Sequence, residues 1–177
     1  MMPVATINAE LAESAEGRNR NHQFPPFDIP RESVVRITPR FLLQASSMKE
    51  QLNALTEEII GAAIAVHHEL GPGMLESAYE ACLALELLDR RLAVERQKPL
   101  PLVYKNQRLE CGFRIDLLVN GLAIVEVKSV ERFERVHQAQ LLSYLRLAEC
   151  KVGLLINFNV KWLVQDGLKR VVNGFPG

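Results

Sequence analysis

Three charged side chains interrupt two otherwise apolar runs within residues 113–128: Asp116, Glu126 and Lys128. Glu126 and Lys128 are two residues apart in the second run, so on a strand their side chains leave the same face of the sheet. An aspartate and a glutamate supply hard oxygen ligands for a divalent cation, and a lysine beside them supplies a fixed positive charge. Phosphodiester hydrolysis needs this combination, provided that the fold brings the three side chains together.

The two apolar runs are joined by Asn120-Gly121, which in this setting is a strong short-range signal for a β-hairpin. The length of the loop decides whether Asp116 can join Glu126. A two-residue loop would place Asp116 opposite Val125, with its side chain on the wrong face of the sheet.

A three-residue loop, 119–121, avoids this problem. With Gly121 left-handed in a bulge, it pairs Leu118 with Leu122 and sets Asp116 diagonal to Glu126. We predict this odd-length loop. One face of the hairpin then carries four charged side chains: Arg114, Asp116, Glu126 and Lys128.

An alternative is that the three charges pair with one another on a solvated face, which antiparallel sheets often keep. Leu118, Leu122 and Ile124 would share that face, which favours a cleft at one end of a buried strand. Spacing alone leaves both interpretations open.

Three motifs together resemble the PD-(D/E)XK nuclease superfamily over about residues 50 to 174. Asp116, followed by Glu126-Val127-Lys128 on the next strand, resembles its D…(D/E)xK core. Upstream, 73–79 (GMLESAY) is similar to the signature of the GxxExxY proteins, a group placed in that superfamily. Downstream, 140–144 (QLLSY) resembles the QxxxY helix motif of RecB-like members. The sequence departs from the pattern at 112–115, which contains no proline before the aspartate.

The resemblance implies a restriction-endonuclease-like core and a metal-dependent nuclease. Asp116 and Glu126 would hold Mg²⁺ or Mn²⁺, with the Val127 carbonyl as a candidate further ligand, and Lys128 would steady the nucleophile or the transition-state charge. Glu76 lies in the first turn of a predicted helix, where the resemblance points it toward the metal. Its alternative role is a carboxylate favoured by the helix dipole.

Three further residues of the motifs have two interpretations each. Gln140 could position the attacking water or a phosphate oxygen, or its amide could bond to a neighbouring loop. Tyr144 shares a helix face with Gln140 and is a candidate catalytic residue with it. Tyr79 either points toward the metal or is a core aromatic with a satisfied hydroxyl.

The pattern of apolar residues predicts an α/β fold, a mixed sheet of about five strands flanked by helices. Residues 1–47 contain five of the nine prolines and predict a poorly ordered extension before a nuclease-like domain at 48–177. The predicted helices are 47–70, capped by Ser47 and Glu50 and ended by Gly71-Pro72-Gly73, then 75–92 and 134–147. The predicted strands are 93–97, 100–104, the two of the hairpin, 152–158 and 168–172.

One connection sets the topology of the sheet. A helix separates the Glu126 strand from 152–158, an apolar run that predicts a central strand buried on both faces. The two strands should therefore be parallel and joined by a crossover.

Composition limits the classes of function. The 177 residues include 21 basic and 21 acidic side chains, and 16 of each follow from Met48 onward. A protein that grips nucleic acid over many phosphates usually has a basic stripe, so this balance weakens that interpretation. The absence of an export signal or a bilayer-spanning run, with three scattered cysteines, predicts a cytoplasmic protein without a membrane partner.

Two classes of function remain open from the sequence. One is a metal-dependent nuclease acting on DNA or RNA, and the other is a noncatalytic module of the same fold that binds nucleic acid or a protein partner. The candidate ligands favour the first class, and the neutral charge favours the second.

Overall fold

The main sheet of the computed structural model has five strands, and the structure describes residues 39–110 and 112–174. The helices are α1 (Pro39–Leu70), α2 (Glu76–Asp89), α3 (Arg135–Leu147) and α4 (Leu163–Asp166), and the strands are β1 (Val94–Pro99), β2 (Leu102–Tyr104), β3 (Gln107–Leu109), β4 (Arg114–Val119), β5 (Ala123–Lys128), β6 (Val152–Asn157) and β7 (Leu168–Val172). This mixed sheet flanked by helices confirms the predicted α/β fold.

The strands of the main sheet lie in the order β1-β4-β5-β6-β7. β5 and β6 are parallel, as predicted for strands joined through α3, and the other neighbouring pairs are antiparallel. Every residue of β6 is buried. β5 is the middle strand, and β6 lies between it and the edge strand β7.

Apolar clusters cover both faces of the sheet. On one face, Leu117 and Val125 pack in the same cluster as residues of α1 and α2. On the other face, Leu118 and Ile124 pack in a cluster that includes Leu141 of α3. Full burial of one such side chain contributes about 1.5–3 kcal/mol. The β4–β5 hairpin is therefore a rigid part of the core.

The hairpin loop has the predicted odd length but a different register. Leu118 pairs with Ile124 and Val119 pairs with Ala123, so the predicted Leu118–Leu122 pair is wrong and the loop is 120–122. Asn120 and Gly121 both have positive φ, 52° and 66°. Because these two residues form the turn, Val119 remains in the strand and the extra residue follows the turn instead of preceding it. The parity is unchanged, but the register now brings Asp116 opposite Glu126 and not diagonal to it as predicted.

Two observed helix boundaries differ from the predicted ones: the start of α1 and the end of α2. α1 begins at Pro39, so Ser47 lies within the helix and the predicted capping box at its start is wrong. The predicted extension at 1–47 stays a prediction, because residues 1–38 lie outside the described part of the chain. α2 ends at Asp89 and not at Leu92 because Arg91 takes a left-handed backbone conformation, with φ of 63°.

The predicted strand 100–104 does not join the main sheet. Its shorter form, β2, pairs only with β3 in a separate hairpin. Across the described residues, no helix combines the length and hydropathy that crossing a membrane requires.

Candidate active site

Asp116 and Glu126 meet where β4 and β5 stop pairing through their backbones. The backbone ladder ends at Leu117–Val125. Beyond it, the Val127 N–H donates to Asp116 Oδ2 at 2.9 Å, and the Asp116 N–H donates to Glu126 Oε1 at 3.4 Å. Each carboxylate thus accepts from the backbone of the opposite strand, and both are fixed at the place where the strands separate.

The alternation of faces along β4 also breaks at Asp116. Ile115 belongs to the apolar cluster on the α3 side, whereas Leu117 belongs to the cluster on the α1 and α2 side. In a regular strand, residues two apart share a face. The regular alternation of faces is therefore interrupted at Asp116.

Lys128 lies beside this pair of carboxylates. Its Nζ is 3.7 Å from Glu126 Oε2, and the side chains of Lys128 and Glu126 are 15% and 4% exposed. Of the pairing that the alternative interpretation required, the structure shows the Lys128–Glu126 pair. This pair lies at a nearly buried position and not on a solvated face.

The two carboxyl groups resist ionisation. Burial, followed by the neighbouring charge of Asp116, raises the pKa of Glu126 from 4.5 to about 8, although Lys128 opposes the shift. Burial also raises the pKa of Asp116, and the Val127 N–H and Lys128 oppose this shift. One ammonium group does not compensate for two buried carboxylates. A bound divalent cation would favour the ionised form of both.

A cleft of about 530 Å³ opens beside Asp116. Its lining residues come from the start of α2, from β1 and from the end of β5: Met74, Leu75, Glu76, Ser77, Glu80, Gln97, Asp116, Val127 and Ser129. Among these lining residues, all in the described part of the chain, three are acidic and none is basic. The cleft can attract a cation and, without one, would repel a phosphate.

Glu76 anchors the start of α2 to the end of β5. Its Oε1 accepts from the Ser129 N–H at 3.0 Å, and the Ser129 hydroxyl donates to the Met74 carbonyl at 2.7 Å. The sequence predicted that Glu76 lies near the metal ligands, and the structure places it in the same cleft as Asp116. In this structure its hydrogen bond holds Ser129, the residue that follows Lys128.

Glu80 is a second acidic residue of α2 in the cleft, and the sequence-based reasoning missed it. It is 6% exposed, and it accepts from Arg96 Nε at 3.0 Å and from Gln97 Nε2 at 2.6 Å. Gln97 Nε2 also lies 3.4 Å from Asp116 Oδ1. The available signal was spacing, because Glu80 lies four residues after Glu76 and shares its helix face.

Asn157, at the end of β6, was also missed. It is fully buried, donates to the Val130 carbonyl at 2.8 Å and accepts from the Val130 N–H at 3.0 Å. β6 pairs Asn157 with Lys128. Asn157 therefore fixes the chain that leaves β5 directly after the candidate site.

Gln140 and Tyr144 bond to each other. Gln140 Nε2 donates to the Tyr144 hydroxyl at 2.8 Å, and the Tyr144 ring lies 6.0 Å from that of Phe113. Within the described residues, no hydrogen bond joins this pair to Asp116 or Glu126. The structure brings the pair to the α3 side of the sheet, and its link to the carboxylates stays a prediction.

Tyr79 is a core residue. It is fully buried, stacks on Phe158 with ring centroids 4.5 Å apart, and donates its hydroxyl proton to the Gly71 carbonyl at 2.6 Å. The hydroxyl also accepts from the Met74 N–H at 3.1 Å. Tyr79 therefore shapes the glycine-containing turn before α2, which agrees with its core interpretation.

The donors at this position fit a hard divalent cation. Among the described residues, no three His, Cys, Asp or Glu side chains form a ready metal-binding cluster. Mg²⁺, however, usually keeps several waters and takes only one or two carboxylates from the protein. Asp116 and Glu126 supply two such carboxylates with raised pKa values, and Val127 lines the cleft together with Asp116.

A family model described as the PD-(D/E)XK nuclease superfamily matches residues 53–171. The match covers the hairpin, the start of α2 and the Gln140–Tyr144 pair. A search of curated proteins found no match, and a search of solved structures found none. The narrower resemblance to the GxxExxY proteins stays a prediction.

Proposed function

Because the chain belongs to the PD-(D/E)XK nuclease superfamily, we propose that it is a metal-dependent nuclease that hydrolyses phosphodiester bonds of nucleic acid. The observation that carries the proposal is the pair of carboxylates, half-buried Asp116 and buried Glu126, fixed by backbone N–H groups where β4 and β5 separate. Lys128 lies beside them. A structural role alone gives no reason to bury two acids against one lysine, since an apolar pair would cost less free energy.

Each residue of the site has a proposed role. Asp116 and Glu126 hold Mg²⁺ or Mn²⁺, with the Val127 carbonyl as a further ligand. When bound, the metal supplies Lewis-acid stabilisation of charge on the phosphoryl oxygens and a water of lowered pKa. Lys128 holds a positive charge beside the ligands, where it stabilises the nucleophile and the developing charge of the transition state.

Three further residues are proposed to assist. Glu76 orients the residue after Lys128 through the Ser129 N–H and adds negative charge for cation binding. Gln140 positions the attacking water or a phosphate oxygen, and Tyr144 holds the Gln140 amide at 2.8 Å. These roles rest on the motif resemblance, on the hydrogen bond of Glu76 to Ser129 and on that of Gln140 to Tyr144.

A second candidate function is a noncatalytic module that binds nucleic acid or a protein partner. Two observations favour it: the chain has no net charge, and the described lining of the cleft contains three acids and no base. The acidic lining would oppose phosphate binding unless a cation neutralised it. Cation binding therefore separates the two candidates.

Calorimetric titration of the full chain with Mn²⁺ tests the proposal. We expect binding that strengthens as pH rises through about 8, because the metal competes with the proton on Glu126. Cleavage of labelled single- and double-stranded DNA and RNA, with Mg²⁺ or Mn²⁺, should follow the same metal dependence. Absence of Mn²⁺ binding above pH 8 would exclude the enzyme and leave the binding module.

The proposed location is the cytoplasm. Cys82 and Cys150 are free thiols in the described part of the chain, and burial raises the pKa of the Cys150 thiol. Free thiols suit a reducing compartment.

A further inference from the structure

The β2–β3 hairpin, residues 102–109, is inserted between two strands that each contribute a residue to the acidic cleft, Gln97 of β1 and Asp116 of β4. β1 ends at Pro99, which pairs with Arg114 at the start of β4. Asp116 follows Arg114 by two residues. The Leu100 N–H donates to the Phe113 carbonyl at 2.8 Å and closes the base of the hairpin. The hairpin is thus an insertion at the edge of the sheet that carries the carboxylates.

The hairpin packs little against the rest of the described chain. β2 and β3 pair only with each other, all of β3 is exposed, and Val103 and Tyr104 are 64% and 59% exposed. An isolated two-stranded hairpin is at best marginally stable in water. Its exposed surface is therefore available to a partner.

The hairpin and the residues that flank it are basic, whereas the cleft is acidic. Residues 98–114 contain four basic side chains and one acidic side chain, in a chain with no net charge. Lys98 pairs with Glu95 at 3.0 Å, and Arg108 pairs with Glu110 at 2.9 Å. Both pairs are exposed, so each contributes little to stability. A phosphate can replace the carboxylate in either pair at small cost.

The tip of the hairpin carries hydrogen-bond donors. Lys105 and Asn106 form the turn, with φ values of 48° and 63°, and every residue from Tyr104 to Arg108 is exposed. Asn, Gln, Lys and Arg side chains are among those that bond to base edges in the major groove of DNA.

We propose that this hairpin is an arm that binds duplex DNA in the major groove and guides the backbone to the acidic cleft. This inference rests on the proposed nuclease function and names its substrate class. The major groove of B-DNA admits a two-stranded β-ribbon, whereas the major groove of A-form RNA is too narrow for side chains to read. The basic arm also supplies the phosphate attraction that the acidic cleft lacks.

Binding of labelled duplex DNA in EDTA tests the arm without cleavage. Lys105→Ala/Arg108→Ala should weaken binding at least about ten-fold at 0.1 M salt and reduce the slope of log K against log salt by about 2. Lys151→Ala is the matched control, because Lys151 is an exposed lysine just before β6, away from the cleft. It should leave both quantities unchanged. Lys105→Arg/Arg108→Lys should retain wild-type binding.

Protection of guanine N7 from methylation locates the arm, since N7 lies in the major groove. Wild type should protect N7 positions, and the double alanine variant should not. Equal affinity of the double alanine variant, an equal loss in Lys151→Ala, absence of N7 protection, or preference for RNA or single strands would each overturn the proposal. Failure of the nuclease function would instead appear as absent Mn²⁺ binding in the wild type, which these measurements in EDTA do not involve.

Discussion

The two ends of the β4–β5 hairpin use the same strands for opposite purposes. At the turn end, three consecutive backbone pairs, from Leu117–Val125 to Val119–Ala123, join buried apolar residues. At the other end, the carboxylates of Asp116 and Glu126 take the place of backbone acceptors. The backbone pairing of β4 with β5 ends at Leu117–Val125, directly before the two acidic residues.

Within one hairpin, the turn end stabilises the fold and the other end carries the candidate site. Apolar burial at the turn end stabilises the fold. Burial of two carboxyl groups at the other end costs free energy, because desolvation disfavours their charged form. The regular end therefore holds in place a site that would not be stable by itself.

The largest expected effect is the loss of cleavage in Glu126→Gln. The amide removes one charged oxygen ligand, so Mn²⁺ affinity and cleavage should fall together. The loss of rate should exceed the factor of about 10²–10³ that one positioned charge supplies. Calorimetry and the nucleic-acid panel measure both quantities. Normal Mn²⁺ affinity in this variant would remove Glu126 from the ligand set.

The second expected effect is a loss of cleavage, without a loss of metal affinity, in Lys128→Ala. It distinguishes the role of Lys128 from that of the metal ligands. A protonated lysine has no lone pair for a metal, and its charge opposes the cation. Lys128→Ala should therefore bind Mn²⁺ as tightly as the wild type or slightly more tightly, while cleavage falls by about 10²–10³-fold. If the lysine only pairs with Glu126, the variant will cut at the wild-type rate and lose a little stability.

The third expected effect is on the stability of the metal-free protein and its dependence on pH. The pKa of Glu126 is about 8 in the folded protein against 4.5 as its ordinary value. Between these values the folded protein keeps a proton that the unfolded chain has released. The free energy of unfolding should therefore fall as pH rises through this window and level off above it. Denaturant unfolding in EDTA from about pH 5 to about pH 9 measures the slope.

Two variants compare the ends of the hairpin in the same experiment. Glu126→Gln should flatten the pH dependence and be more stable than the wild type at the upper end, since the amide does not ionise. Ile124→Val, at the paired end, should lower stability by about 0.5–1.5 kcal/mol at every pH. A wild-type slope that Glu126→Gln leaves intact would assign the titration to another group, such as Asp116.

Much of the framework was predictable because it depends on local patterns. The Asn120-Gly121 turn, the apolar runs around it and the helix before β6 predict the hairpin and the parallel pair. The positions of Asp116, Glu126 and Lys128 follow from an odd-length loop. Glu76 was found through its motif, and Glu80 could have been found by its spacing from Glu76.

The sequence by itself determined which acids and which lysine belong to the hairpin and that they share its end, because they lie at similar distances from the Asn120-Gly121 turn on the two strands. Only the tertiary structure decided the register, since Leu118 finds an apolar partner in either Leu122 or Ile124. It also decided the local contacts of Gln97, Asn157 and Ser129, whose partners lie far away in the sequence. A polar side chain gains a fixed role only when packing removes water from it and leaves one partner within reach.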